Sequence, residues 1–260
     1  MSRKITWPLV SAVGVCNGFD KDRIHNGSIG RYTWLYMSKD PNKLSRLMDF
    51  SEVPDVVIIR LPMYIRALSQ LLNADEEVVS SKELGLLLQM TPAQIRKDLS
   101  YFGRFGKQGR GYSVRFLRDE LRQILGLDKD WSACLIGVGN LGEAIINYPG
   151  FAPEGFRVVA AFDSDPQLVG TTVRNIPVMP MAQLDTYING EDIAIGIVAV
   201  PADEAQRVIN SLVVAGVKGI LNYAPVAPHV PQGVVIRNID PVLSLQSMTY
   251  YLLKVDMEST

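Results

Sequence analysis

Cysteine and histidine are scarce in this chain of 260 residues, which has two of each. Cys16 and Cys134 lack the spacing of zinc or redox motifs, and Cys134 lies in an apolar run, where a thiol usually fills core space. So little cysteine suits a reducing compartment. The sequence therefore predicts a cytoplasmic protein without a bound metal.

Long hydrophobic runs are also missing. Apolar stretches such as residues 193–200 end well short of the ~20 residues that a membrane helix needs. Arg3 and Lys4 precede a short apolar run near the start, but Pro8 interrupts it and no convincing cleavage site follows. We therefore expect neither a signal peptide nor a membrane partner.

The chain has no large charge of one sign, since its formal net charge is -1. The charge is uneven, however, because basic residues concentrate in residues 96–118, where Asp98 is the one acidic residue. The basic residues there are Arg96, Lys97, Arg104, Lys107, Arg110, Arg115 and Arg118. Charge runs are most often solvated surfaces, but one this dense also suits nucleic acid.

Four segments differ in their pattern. Residues 1–54 have neither a helical nor a strand period, which predicts an irregular or disordered extension, and Met48 offers an alternative start codon. Residues 55–125 are typical of helices followed by a glycine-rich hairpin. In residues 126–242 helical patterns alternate with predicted strands at 133–137, 157–163, 193–200, 219–222 and 234–238. This alternation predicts an α/β, doubly wound parallel sheet, and residues 243–260 are the fourth segment.

Two short capped helices are predicted after an amphipathic helix at residues 60–72. The first begins with a capping box, in which the Ser80 hydroxyl accepts the amide of Glu83 and the Glu83 side chain reaches back. The second begins with a similar box between Thr91 and Gln94. Capped helices joined by a tight turn indicate a helix-turn-helix.

The second capped helix separates an apolar face from a basic one. At about 100° per residue, Ile95, Leu99 and Phe102 share one stripe. The other side carries long polar side chains, namely Arg96, Lys97, Ser100, Tyr101 and Arg104. Such a face suits the major groove of DNA, and a solvent-facing helix is the alternative.

A glycine-rich hairpin follows this helix directly. The glycines between Gly106 and Gly111 permit a tight turn, from whose tip Lys107, Gln108 and Arg110 would project. A basic wing of this kind fits the narrow, electronegative minor groove. Helix pair and wing together predict a winged-helix domain that binds double-stranded DNA.

A dinucleotide fingerprint lies between a predicted strand and helix. Gly137 permits a tight turn, Gly139 lets the backbone approach a pyrophosphate, and Gly142 allows the helix to pack on the strand. The helix N-terminus would hold the phosphates. The predicted phosphate loop comprises Gly137, Val138, Gly139, Asn140, Leu141 and Gly142.

An acidic residue ends the next predicted strand. Asp163 would bind the hydroxyls of an adenosine ribose and repel the 2′-phosphate of NADP, which predicts NAD(H) as cofactor. The alternative is a strand-end residue that caps a turn. Pro201 and Tyr223 follow later strands and would line the nicotinamide half of the crevice, although a proline also simply ends strands.

In combination these motifs resemble the redox-sensing transcriptional repressors of the Rex family. The resemblance runs from about residue 56 to the end and includes the stretches IRKDLSYFGRFGKQGRGY, LIGVGNLGEAIINYPGF, AAFDSD and GVKGILNYAP. It implies a homodimer that binds operator DNA when NADH is scarce and releases it when NADH binds. It also implies a last helix exchanged between subunits, which suits the stripe of Leu245, Met248, Leu252 and Val255.

The resemblance further implies a polar relay between domains and subunits. Arg66, Tyr148 and Asp240 are its expected members, with Arg60 as an alternative to Arg66. Tyr223 stands where the family is expected to have phenylalanine, so its hydroxyl adds a polar group beside the nicotinamide.

Two other functions stay open from the sequence. An NAD-dependent dehydrogenase with an accessory helical domain has the same fold, but it needs a general acid or base. The two histidines, His25 and His229, lie in the irregular start and in a proline-bounded turn, so no catalytic residue is predicted. The second open function is a module that binds coenzyme A, although the carboxylate of Asp163 suits a free ribose diol better. The sequence favours a DNA-binding repressor over both.

Overall fold

The computed structural model describes residues 53–107 and 109–258. Residues 1–52, which make up most of the predicted extension, lie outside the described residues, and so does Gln108 of the wing.

Residues 53–124 form a unit of helices and a small antiparallel sheet, which we call the winged-helix unit. Its helices are α1 (Asp55–Asn73), α2 (Ser81–Leu88), α3 (Pro92–Ser100) and α4 (Val114–Ile124). Its strands are β1 (Val78–Val79), β2 (Gly106–Lys107) and β3 (Gly111–Ser113), in the order β1-β3-β2. All four helices contribute to one core, in which Leu61, Leu84, Leu99 and Leu117 are buried.

The first helix begins earlier than the sequence predicts, at Asp55 instead of Arg60. It continues through Pro62, which cannot donate the usual backbone hydrogen bond. Val57 and Leu61 are both buried in the core of the winged-helix unit. Their packing outweighs the missing bond and extends the helix.

Side-chain caps determine where α2 and α3 begin. At α2, Ser80 Oγ accepts the amide of Glu83 at 3.1 Å and the Glu83 carboxylate accepts the amide of Ser80 at 2.8 Å, which confirms the capping box. At α3, Thr91 Oγ1 accepts the amide of Gln94 at 3.2 Å. The Gln94 side chain donates to the carboxylate of Asp98 and does not return to Thr91, so the predicted second box is only half formed.

Residues 131–238 form a seven-stranded sheet with helices, which we call the sheet unit. Its strands are β4 (Trp131–Ile136), β5 (Phe156–Asp163), β6 (Thr172–Val173), β7 (Ile176–Pro180), β8 (Ile195–Val198), β9 (Gly219–Asn222) and β10 (Val235–Asn238). Its α-helices are α5 (Asn140–Asn147), α6 (Leu184–Glu191) and α7 (Ala202–Val214). The order is β10-β9-β8-β4-β5-β7-β6, and all neighbours are parallel except β6 and β7. The predicted doubly wound sheet is confirmed.

Strands β6 and β7 were missed by the sequence analysis. Pro177 and Pro180 lie in β7, and proline normally argues against a strand. This strand is short and lies near one edge of the sheet, where it pairs with β5 and the two-residue β6. The five predicted strands match β4, β5, β8, β9 and β10 to within two residues at each end.

Within the part of the chain that the structure describes, two ion pairs link the units. Arg237 Nη2 at the end of β10 lies 2.5 Å from the Asp55 carboxylate at the start of α1. Arg122 Nη1 lies 3.3 Å from the carboxylate of Glu154. All four side chains are partly exposed, so each pair contributes little to stability.

The last helix, α8 (Pro241–Glu258), lies on the surface of this subunit. Its large apolar side chains are exposed on several faces, with Leu245 at 60%, Leu252 at 63% and Leu253 at 65%. A helix with apolar side chains on several faces is normally buried in a core or an interface. Among the described residues, no helix meets both requirements of length and apolarity for crossing a membrane.

Candidate nucleotide site and DNA interface

The glycine loop connects the carboxyl end of β4 to the N-terminus of α5. Gly137 has a φ of +92°, and a β-carbon there would lie 2.5 Å from the carbonyl oxygen of Ala199. A β-carbon on Gly142 would collide with the carbonyl oxygen of Gly137. A β-carbon on Gly139 would have no neighbour within 4 Å. The first and third glycines therefore allow the close packing of the loop, and the second leaves open space beside it.

The N-terminus of α5 has the features of an anion site. Gly139 is the residue before the helix, and no side chain caps the first amides. Uncapped helix amides bind phosphate, because their N–H groups and the helix dipole both favour negative charge. The open space at Gly139 lies beside these amides, which is the arrangement that a pyrophosphate needs.

The carboxylate of Asp163 faces the glycine loop from the end of β5. Its Oδ2 accepts the amide of Val138 at 2.7 Å, and its Oδ1 accepts the amide of Asp165 at 2.8 Å. Asp163 therefore caps the following turn, as the alternative interpretation has it, and also touches the phosphate loop. Each carboxylate oxygen can accept a second hydrogen bond, so the ribose role of Asp163 stays a prediction.

A cleft of about 180 Å³ lies beside this carboxylate, at the carboxyl ends of β4, β5 and β8. Its lining includes Gly137, Gly139 and Asp163, which brings three predicted residues together. Pro201 lines the same cleft as Asp163, whereas Tyr223 is not one of its lining residues, so the nicotinamide role of these two residues stays a prediction. Ligands in doubly wound sheets bind at this edge, where the strand order reverses.

Glu204 and Arg207 also line the cleft and were missed by the sequence analysis. They lie in α7, where Arg207 Nε donates to Glu204 Oε2 at 2.9 Å. The signal in the sequence was their three-residue spacing directly after Pro201, which places both on one helix face near a strand end.

Tyr223 lies further along the sheet, after β9. Its amide donates to the carbonyl of Val198 at 2.9 Å, and its ring is half-buried. Burial raises the pKa of the Tyr223 phenol, and the negative charge of an ionised Tyr148 raises it further. Tyr148 itself is 57% exposed.

The three expected relay residues are found in different segments of this subunit. Arg66 is exposed on α1, and Asp240 precedes α8, where it accepts the amide of Val242. In the described part of the chain no hydrogen bond or ion pair joins Arg66, Tyr148 and Asp240 to one another. Arg60, the alternative to Arg66, is bound to Asp98. The relay stays a prediction, with Arg60 still the alternative to Arg66.

The polar residues predicted to contact DNA are exposed on α3 and just after it. Ile95, Leu99 and Phe102 are buried on the opposite side, as the helical period predicts. Exposed are Arg96, Lys97, Ser100, Tyr101 and Arg104. Two of these also make local contacts, since Arg96 donates to Ser81 Oγ at 3.0 Å and Ser100 to the carbonyl of Lys97 at 2.7 Å.

The wing is a short antiparallel hairpin of β2 and β3. Gly109 and Gly111 have φ values of +80° and +74°, as a tight turn requires. Gly106 has no positive φ, but a β-carbon there would lie 2.8 Å from the carbonyl oxygen of Gly111. Arg104 and Arg110 line a cleft of about 320 Å³ at the base of the wing. The side chain of Lys107 lies outside the described residues, as does Gln108.

A buried carboxylate behind α3 was not predicted. Asp98 is 0% exposed and accepts Arg60 Nε at 2.7 Å, Arg60 Nη2 at 2.8 Å, Tyr64 OH at 2.7 Å and Gln94 Nε2 at 2.6 Å. Burial alone would raise the pKa of Asp98, but these hydrogen bonds outweigh burial and hold the pKa below its usual range. Breaking a buried ion pair by removing one partner typically costs about 3–5 kcal/mol.

Both units match known families. A family model described as a DNA-binding protein N-terminus matches residues 52–100, and one described as a CoA binding domain matches residues 128–226. The chain is 51% identical over 203 residues to "Redox-sensing transcriptional repressor Rex" of Roseiflexus sp. (strain RS-1), which covers 78% of this chain and 92% of the relative. The chain belongs to the Rex family.

Further Rex proteins support this membership. A Rex of Syntrophobacter fumaroxidans is 43% identical over 206 residues, which is 79% of this chain and 98% of that protein. One solved relative is RSP, which is described as a Rex-family repressor. Its structure in complex with β-NAD⁺ and operator DNA has a TM-score of 0.75 and 41% identity, over 80% of this chain and 95% of RSP. RSP in complex with β-NADH has a TM-score of 0.73 and 39% identity, over 80% and 98%.

Membership of the Rex family separates the functions that the sequence left open. The Rex relatives are named as transcriptional repressors, so the dehydrogenase alternative is not favoured. The description of one family model mentions coenzyme A, but the match to Rex proteins spans both units of this chain.

Proposed function

We propose that this Rex protein is a transcriptional repressor that binds operator DNA as a homodimer and releases it when NADH binds. The observation that carries the proposal is the likeness over both units to RSP, which was solved with β-NAD⁺ and operator DNA and with β-NADH. As a repressor it would act where the DNA lies, which supports a cytoplasmic location.

The residues at the sheet edge fit NAD(H). The amides of the loop from Gly137 to Gly142 would hold the pyrophosphate, since the space at Gly139 is open and α5 is uncapped. Asp163 would bind the adenosine ribose, with Pro201 beside it. Tyr223 would pack near the nicotinamide, whose ring is cationic when oxidised and neutral when reduced. The cofactor reports the redox state only if NADH and NAD⁺ differ in their preference between an arrangement of the dimer that binds DNA and one that does not.

The proposal is tested by an electrophoretic shift assay with operator DNA. We expect the purified chain to retard an operator fragment and NADH to reverse the shift, with a much weaker effect of NAD⁺. Reversal by coenzyme A in place of NADH would instead support the coenzyme A alternative. Turnover of a hydroxy substrate with NAD⁺ would support the dehydrogenase.

We predict that Asp163 selects NAD(H) over NADP(H). Fluorescence titration should show NADPH binding at least about tenfold more weakly than NADH, because the carboxylate repels the 2′-phosphate. Asp163→Ala should reduce this difference. Asp165→Ala is the matched control, since Asp165 also caps a turn but does not touch the phosphate loop. A wild-type preference for NADPH would contradict the assignment.

We predict that Lys97 contacts operator DNA through the exposed face of α3. If the lysine binds a phosphate, Lys97→Ala should reduce the slope of log affinity against log salt concentration by about one. If the lysine binds a base, the variant should show a weaker preference for the operator sequence. The control is Lys218→Ala, an exposed lysine of the sheet unit. Equal salt slope and equal sequence preference in Lys97→Ala and the wild type would remove Lys97 from the interface.

A further inference from the structure

We propose that Asp98 is a positioning residue for operator recognition, because its hydrogen bonds to Arg60 and Tyr64 fix the orientation of α3 on α1. This inference rests on the proposed DNA-binding function of the winged-helix unit. It assigns a role to side chains that do not face DNA themselves.

The contacts of Asp98 constrain α3 in more than one direction. Arg60 binds both carboxylate oxygens, and Tyr64, one turn further along α1, donates to the oxygen that also accepts Arg60 Nε. Two-point binding of a guanidinium to a carboxylate is directional. Apolar contacts such as those of Ile95 and Leu99 are not directional, and they tolerate small rotations of a helix.

A small rotation of α3 would matter for the residues on its exposed face. Lys97 is the neighbour of Asp98, and Ser100 and Tyr101 follow within one turn. For side-chain atoms about 6 Å from the helix axis, a rotation of about 20° moves them by about 2 Å. Such a shift exceeds the tolerance of a hydrogen bond to a base edge. Phosphate contacts depend less on this geometry, since they are mainly electrostatic.

A structural role alone predicts a different result. The winged-helix unit already has an extensive apolar core, and replacing a buried ion pair by apolar side chains often leaves stability unchanged. If the ion pair of Arg60 and Asp98 only stabilised the fold, two apolar side chains in its place would keep both the stability and the DNA affinity near wild type. If the ion pair positions α3, the two apolar side chains would keep the protein folded but would weaken its recognition of the operator.

The decisive variant is Arg60→Met combined with Asp98→Leu in the full chain. We expect it to stay folded, with a melting temperature lowered only by the unpaired hydroxyl of Tyr64, and to bind NADH normally. Its operator affinity should fall about tenfold, as on loss of one base contact, while its affinity for unrelated DNA changes less than about twofold. The matched control is Arg157→Met with Asp130→Leu, an exposed ion pair between β5 and the residue before β4, which should leave all four measurements unchanged.

A second variant keeps the test valid if the double variant does not fold. Tyr64→Phe removes one hydrogen bond to Asp98 and retains the buried ring and the ion pair. We expect it to lower operator affinity about threefold without changing NADH binding or affinity for unrelated DNA. Wild-type operator affinity in a folded double variant, or in Tyr64→Phe, would overturn the positioning role. Failure of the wild-type chain to bind operator DNA would contradict the proposed function itself.

Discussion

Replacing Gly139 with valine is expected to abolish the release of operator DNA by NADH while the protein stays folded. Gly139 has a φ of -73°, which valine adopts without strain, and its β-carbon would have no neighbour within 4 Å. The melting temperature should change by no more than about 2 °C. The new side chain would occupy the space that the pyrophosphate needs, so NADH affinity should fall at least about 100-fold by fluorescence titration.

Two other glycines provide the contrast for this variant. Gly142→Ala should lower both stability and NADH affinity, because its β-carbon collides with the carbonyl oxygen of Gly137. Gly190→Ala, in α6, should affect neither, since a β-carbon there also has open space around it. Normal NADH binding by Gly139→Val would place the pyrophosphate elsewhere on the sheet.

The features that depend on nearby residues were predictable from the sequence. The capping box of Ser80 and Glu83 spans four residues, and its two hydrogen bonds form as expected. The glycine loop is similarly local, since Gly137 and Gly142 are five residues apart and a β-carbon on Gly142 would collide with the carbonyl oxygen of Gly137. Alternation of strands and helices was sufficient to predict a doubly wound parallel sheet, because parallel strands require crossover helices, although β6 and β7 were missed.

The features that depend on distant residues were not predictable in the same way. Asp98 lies about 40° from Phe102 around α3, on its core side, so the helical period already indicated burial. Its partners were hidden, because Arg60 and Tyr64 precede it by 38 and 34 residues. From the sequence, Asp98 is simply the one acidic residue in a basic run. In the structure, its charge is compensated by Arg60 from a different helix.

The relay illustrates a different limit. Arg66 lies in α1, Tyr148 directly after α5 and Asp240 directly before α8, and no local pattern connects them. In the described part of this single subunit they do not bond to one another. A relay between subunits would need the partner's surface, which a single chain does not contain. We therefore keep these residues as a proposal that depends on the homodimer.

Helix α8 carries the strongest sign of a partner subunit. Its eighteen residues are exposed where described, and they include Leu245, Met248 and Leu252 on one stripe. Large apolar side chains on several faces of an exposed helix favour association, because burial contributes about 25 cal/mol per Å². A two-fold dimer would also give the two wings the fixed separation that two operator half-sites require.

Introducing aspartate at Leu245 and Leu252 together is therefore expected to yield a folded monomer. Both side chains are exposed in this subunit, at 60% and 63%, so the substitutions should not disturb either core. Sedimentation should show the monomer, and operator affinity should fall at least about 100-fold, because one winged helix reads one half-site. Ser247→Asp adds a charge to the more polar side of α8 and should leave the dimer intact. A stable dimer carrying both aspartates would exclude this stripe from the interface.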